Sequence, residues 1–129
     1  MFVKTLSLAG AIALFATAAL ADDPMANTYA NTITTKNTAN GQSATLLFNA
    51  DNTYTGMTTG ADGKPVKYTG GWQLKDNGST ICLTVNLPAD TPNAPKPSCS
   101  AIVSHNVGDS WTVTTDQNET YQVSLTAGR

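Results

Sequence analysis

The chain is short of charge, of histidine and of any helical pattern. Asp, Glu, Lys and Arg make up 12% of its 129 residues, about half of the usual ~25%. Its seven Lys and Arg are scattered rather than gathered. Nucleic-acid binding draws on a basic stripe that displaces counterions from phosphates, and a membrane-surface helix needs a similar cluster; both are excluded. A single histidine, His105, and two cysteines leave little from which to build a metal centre. No stretch sustains a 3.6-residue apolar period, so no amphipathic helix is predicted. H-E-x-x-H, EF-hand, P-loop, dinucleotide-glycine and G-x-S-x-G motifs are all missing. After Leu20 no apolar run approaches the ~20 residues of a membrane span. No enzyme activity, metal or cofactor is therefore expected.

What is present begins at the N-terminus. Lys4 precedes an apolar run from Leu6 to Leu20, and Ala19-Leu20-Ala21 supplies the small-x-small pattern of a signal-peptidase site. At about 15 residues the run is too short for a span of ~20. Residues 1–21 are predicted to be a cleaved secretory signal, and 22–129 a single exported domain, periplasmic or secreted and read as a monomer. No cysteine stands at the cleavage site to carry a lipid. Loss of Lys4 leaves six Lys and Arg against nine Asp and Glu, a net charge of −3.

The polar share that charge gives up goes to Thr and Asn, residues of strands and tight turns respectively. Alternation is clearest over 66–74, where Val66, Tyr68, Trp72 and Leu74 share one face. It recurs in Ile81, Leu83, Val85 and Leu87, in Trp111 and Val113, and in Tyr121, Val123 and Leu125. Weaker strands are read over 28–34, 43–48, 53–59 and 99–104. Asn40-Gly41, Asp62-Gly63 and Asn77-Gly78 punctuate them as hairpin turns, and Gly70-Gly71 inside a strand predicts a bulge or bend. About eight strands with one dry face predict an all-β fold, a small antiparallel up-and-down barrel, with a two-sheet sandwich as the alternative. The expected core is Trp72, Ile81, Leu83, Val85, Trp111, Val113, Tyr121, Val123 and Leu125.

Cys82 and Cys99, both in the exported portion, are expected to pair; the spacing is unlike a C-x-x-C redox pair. The bridge closes a loop of about 17 residues, worth ~3 kcal/mol by chain entropy. Cys82 falls on the wet face of its strand, which places the bridge outside the core. Inside that loop, residues 88–97 carry four prolines, a stiff connector whose Asp90, Asn93 and Lys96 are candidate partner contacts.

Few constellations point to chemistry. His105 has Ser104, Asp109 and Ser110 beside it in sequence, but catalytic triads gather from separate elements, and His105 reads as an exposed loop residue. Asp51, Asp62, Asp76 and Asp116 each fall in a turn, where Asp serves the local backbone. The Thr-x-Thr pairs lack the repeat that an ordered hydroxyl surface needs. Five aromatics remain: Tyr54, Tyr68, Trp72, Trp111 and Tyr121. All but Tyr54 lie on predicted dry faces. They either fill the barrel or line a ligand cup at one open end, where phenol and indole groups would orient a small apolar molecule.

Two resemblances add to this. The run GWQLKDNGSTICLTV with Cys99 and Trp111 beyond it resembles the periplasmic metalloprotease inhibitors of bacteria, eight-stranded barrels with one disulfide and an N-terminal arm that enters the protease cleft. In that family the Trp stands close to the arm, whereas Trp72 follows several strands. FNADNTYTG (48–56), GGW (70–72), the Cys82/Cys99 pair, VGDSWTVT (107–114) and VSLTAGR (123–129) resemble small exported β proteins of alphaproteobacteria of uncharacterised function; the resemblance implies a periplasmic setting and brings no activity or catalytic residues with it. The expectation is a non-catalytic exported barrel that binds a small apolar ligand or an envelope partner. A protease inhibitor is the alternative, and a structural or stress-related envelope role the second.

Overall fold

The computed structural model describes residues 23–88 and 90–129; the predicted signal segment, 1–21, lies outside the described residues. Eight strands form one antiparallel sheet: β1 (Thr32–Asn37), β2 (Ser43–Phe48), β3 (Thr53–Thr59), β4 (Pro65–Lys75), β5 (Thr80–Val85), β6 (Ser98–Ala101), β7 (Ser110–Thr114) and β8 (Thr120–Thr126). Their spatial order is β6-β5-β4-β3-β2-β1-β8-β7. Every ladder joins strands consecutive in sequence, except that β8 returns to β1, from Thr32 opposite Thr126 to Asn37 opposite Tyr121. This is an up-and-down meander curled into a nearly closed barrel. The described residues hold no helix beyond the 3-10 turn Asp76–Gly78, and none long and apolar enough to cross a membrane.

Turn chemistry fixes the hairpins. Gly41 and Gly63 sit at φ of 74° and 82°, left-handed positions that glycine takes without a Cβ penalty. Carboxyl and amide oxygens two residues before the donor hold the same turns, Asn37 Oδ1 accepting the Ala39 N–H and Asp62 Oδ1 the Lys64 N–H. Asp51 does the same for Thr53.

Three readings need correction. The first strand starts at Thr32, not at residue 28, because 24–30 are turns wound by Asp23, whose Oδ1 accepts the Met25 N–H and whose carbonyl accepts the Ala26 N–H. β6 spans Ser98–Ala101 and stops short of residue 104: the Ile102 N–H makes one more cross-strand bond, to the Ser79 carbonyl, where β5 itself has ended at the 3-10 turn. Gly70-Gly71 makes no bulge: β4 keeps one-to-one register there with both neighbours, Tyr54 opposite Gly70 and Gly70 opposite Val85.

The core gathers toward one end. Met25, Ile33, Leu46, Phe48, Tyr54, Trp72, Val123 and Leu125 are buried together, Met25 at 2% and Leu125 at 1% exposure. Ile81, Leu83, Trp111, Val113 and Tyr121 pack on this cluster partly buried. Val85, expected in the core, is 36% exposed, because it ends its strand at the open rim. Met25, missed in the sequence, plugs the closed end, where Trp72 Nε1 donates to the Asn49 carbonyl at 2.9 Å and its ring meets Tyr29 and Phe48. Arg129 ties the same end, its guanidinium donating to the Tyr29 and Phe48 carbonyls and to Asn49 Oδ1.

Cys82 and Cys99 form the disulfide, directly opposed across β5 and β6 and on the outer face, with Gln73 as the next cross-strand neighbour. It holds a four-residue strand that has a ladder on one side alone. On the other side, toward β7, the Asp116 N–H donates to the Cys99 carbonyl (2.9 Å) and Asp116 Oδ1 accepts the Cys99 N–H (3.1 Å). The Cys82→Ser/Cys99→Ser protein is expected to lose about 2–5 kcal/mol in guanidinium unfolding. Thiol titration of the denatured, unreduced wild type is expected to find no reactive thiol; two per chain would contradict the bridge.

Candidate functional site

The barrel interior divides in two. The end with the β2–β3, β4–β5 and β6–β7 connections is packed by the arm and the aromatics. The other end, ringed by the β1–β2, β3–β4, β5–β6 and β7–β8 connections, holds an open cavity of about 580 Å³, within the ~300–1,000 Å³ range of ligand sites. Its apolar wall comes from Leu46, Leu83, Val85 and Val113, and hydroxyls enter from Thr35, Thr58, Ser98 and Ser100. Asn37, Gln42, Lys96, Gln117 and Glu119 stand around the rim.

Tyr54, Tyr68 and Tyr121 line this cavity. Tyr54, which the alternation left unplaced, is among the most buried side chains at 3% exposure. Its strand gave no signal because the inward positions of β3 are Tyr54, Gly56 and Thr58, a single apolar residue among three. Tyr54 and Gly56 face Gly70 and Tyr68 across the β3–β4 ladder. A Cβ on Gly70 would collide with the Tyr54 ring, and one on Gly56 with the Tyr68 ring. Each phenol therefore lies along the wall over the other strand's glycine, and the two rings meet edge to face with centroids 6.2 Å apart. The signal in the sequence was a tripeptide: Tyr-Thr-Gly occurs at 54–56 and again at 68–70, and the antiparallel register turns the two copies to face each other.

Burial pushes the Tyr54 phenol up to about 12, with neighbouring Tyr68 adding to it. Burial likewise raises Tyr68, then Tyr121 beside it. Tyr121 is raised by burial first and by the Glu119 carboxylate, whose Oε1 accepts its hydroxyl at 3.3 Å. The site thus presents neutral phenols over the physiological range. Outside it, burial and then Asp23, which accepts its hydroxyl at 3.0 Å, push Tyr29 up to about 12.

The two tryptophans lie elsewhere. Trp72 belongs to the packed end. Trp111 lines a smaller cavity of about 120 Å³ with Met25, Ile81, Ile102 and Val113, and its outer side stacks on His105, centroids 3.5 Å apart. His105 is half-buried by this stack, not an exposed loop residue; its Nδ1 is 3.7 Å from Asp109 Oδ2, which also accepts the Asn106 N–H. Of the loop candidates, Lys96 reaches the cavity rim with Pro95, whereas Asp90 and Asn93 are exposed away from its lining. Gln117 Nε2 fixes that side of the loop by donating to the Lys96 and Pro97 carbonyls. Among the described residues no group of three or more His, Cys, Asp or Glu is placed to hold a metal ion.

No protein-family model matches this chain, and no curated protein or solved structure is significantly similar to it.

Two outcomes follow from the tyrosine–glycine seating. Gly70→Ala is expected to destabilise the protein by about 1–3 kcal/mol, the usual cost of overpacking, since the added Cβ meets both the Tyr54 ring and the Thr84 carbonyl. The raised Tyr54 phenol stabilises the fold fully below the unfolded value of 10, and this contribution is lost as pH rises toward about 12. Urea-unfolding midpoints are expected to fall across that window, and to fall less in Tyr54→Phe; identical profiles would show that Tyr54 is not the group responsible.

Proposed function

We propose that this protein is a non-catalytic, exported binding protein of the periplasm that takes one small, largely apolar molecule into the open end of its barrel. The observation that carries this reading is the cavity of about 580 Å³. An eight-stranded barrel is just wide enough to be filled by its own side chains or to hold one small ligand. Here the closed half is plugged and keeps only a small cavity of about 120 Å³, while the open half has apolar walls, three phenols and a polar rim, the usual composition of a ligand pocket. The signal-like N-terminus and the disulfide support an oxidising, exported setting. The small exported β proteins that the sequence resembles fit the same setting.

The ligand reading is favoured over the inhibitor reading by the N-terminal arm. An arm that enters a protease cleft has to be free, whereas Met25 is 2% exposed and Asn27 Nδ2 donates to the His105 carbonyl at 2.8 Å. The proline-rich loop belongs to the same site, as a wall carrying Pro95 and Lys96 rather than as a separate docking surface.

Fluorescence titration with N-phenylnaphthylamine, an apolar probe, tests the reading. One probe molecule is expected to bind per chain. Ala44→Phe, which puts a ring into the cavity from its β2 wall, is expected to weaken binding about 10-fold or more, close to the loss of one buried aromatic contact surface. Undiminished binding to a folded Ala44→Phe protein would place the probe elsewhere and end the cup reading.

A further inference from the structure

Tyr54 and Tyr68 differ from every other tyrosine in the described residues. The Tyr29 hydroxyl donates to Asp23 and the Tyr121 hydroxyl to Glu119. Those of Tyr54 and Tyr68 have no hydrogen-bond partner among the described residues, yet neither is sealed off, since no buried side-chain polar atom is left unsatisfied. Both residues line the large cavity, and Tyr54 is 97% removed from solvent overall. Their free donors therefore open onto the one space available to them, the cavity. A polar group so placed costs little while hydrated, and a ligand that covers it without a matching group incurs its full desolvation penalty.

We infer, on the reading that the cavity takes a small molecule, that its ligand is a compact, uncharged ring compound carrying a carbonyl-type acceptor, held by the Tyr54 or the Tyr68 hydroxyl. The acceptor follows from the donors: a protonated phenol gives a hydrogen bond more readily than it receives one, and each of the two, lying over the other strand's glycine, presents its own donor to the cavity. Compactness follows from depth. From Tyr54 at the floor to Thr58 at the rim is four residues of strand, roughly 13 Å at ~3.3 Å per residue, with Phe48 and Trp72 closing the way below. A long acyl chain has nowhere to run. Neutrality follows from the rim, where Lys96 and Glu119 offset each other and no second cation waits for a carboxylate. The flanking phenol rings, edge to face with one another, suit a flat partner.

Three naphthalenes substituted at the same ring position separate the alternatives by calorimetry on the mature protein: acetylnaphthalene, isopropylnaphthalene and naphthoate. The ketone is expected to bind about 10-fold tighter than the hydrocarbon of the same shape, as one net hydrogen bond and the avoided desolvation of its donor allow, and tighter than the carboxylate. Tyr54→Phe/Tyr68→Phe keeps both rings over their glycines. It is expected to erase the ketone's advantage while isopropylnaphthalene binds at least as tightly as to the wild type, since no uncovered donor is then left to desolvate; that binding also reports that the variant is folded. Equal binding of ketone and hydrocarbon to the wild type would overturn the acceptor assignment with the cup intact. So would an advantage that survives in the double variant. Tighter binding of naphthoate would overturn neutrality, and failure of all three to bind would overturn the cup itself.

Discussion

Two tyrosines seated on two glycines decide how much of this barrel is filled. In a barrel of eight strands a large inward side chain normally reaches across the lumen and meets others there. Tyr54 and Tyr68 cannot be described that way, because each ring occupies the space that a Cβ on the facing glycine would need. Laid along the wall, they contribute apolar surface and a hydroxyl without blocking the middle. The glycines carry a cost in strand stability of ~0.5–1 kcal/mol each relative to Ala, which the stacked rings offset by covering the bare backbone. The cavity above them is thus a consequence of local strand pairing, not of loose packing.

The remaining parts serve to keep that cavity open at one end only. The arm that carries Met25, the indole of Trp72 bonded to Asn49, and the Arg129 guanidinium on three carbonyl-type oxygens all act on the opposite end. A sheet with one missing ladder is free to splay at its edges. Here β6 is held by a disulfide to β5 on one side and by the Asp116 turn on the other. Asp116 read as an ordinary turn carboxylate in the sequence. Its turn is instead the bracket between two edges, and the same turn sends Gln117 to anchor the proline-rich loop beside the rim.

The fold was legible where each strand shows alternate apolar and polar residues. Ile81 to Val85, Trp111 to Val113 and Tyr121 to Leu125 do so, and the Asn-Gly and Asp-Gly dipeptides mark the reversals between strands. Legibility failed where the inward face carries few apolar residues. In β1 the alternation has Ile33 alone to show, and a turn wound by Asp23 competes with the strand for residues 28–31. Burial of Met25 depends on which barrel end needs a plug, a property of the closed sheet with no local signature. The candidate site was half legible for a related reason. Aromatic identity is visible in a sequence, and all three cavity tyrosines were among the five residues singled out. The end of the barrel each one serves depends on strand direction and register, and that is what separates Trp72 and Trp111 from them.

Direction along the strands also explains why the two halves differ chemically. From the closed end toward the rim, the inward positions of β1 run Ile33, Thr35, Asn37, and those of β2 run Phe48, Leu46, Ala44. On β3 they run Tyr54, Gly56, Thr58, and past the end of β7 the inward series Trp111, Val113 continues to Thr115. Each series steps from large and apolar to small or polar. Two strands reverse the step, β4 with Tyr68 and β8 with Tyr121, and both return to size with a phenol rather than with Leu or Phe. A chain selected only for a solid core gains nothing from small or polar residues at four inner rim positions, since every void there forfeits contacts. The gradient, together with tyrosine as the aromatic of the upper half, leaves a packed floor below and an open, hydroxyl-lined space above.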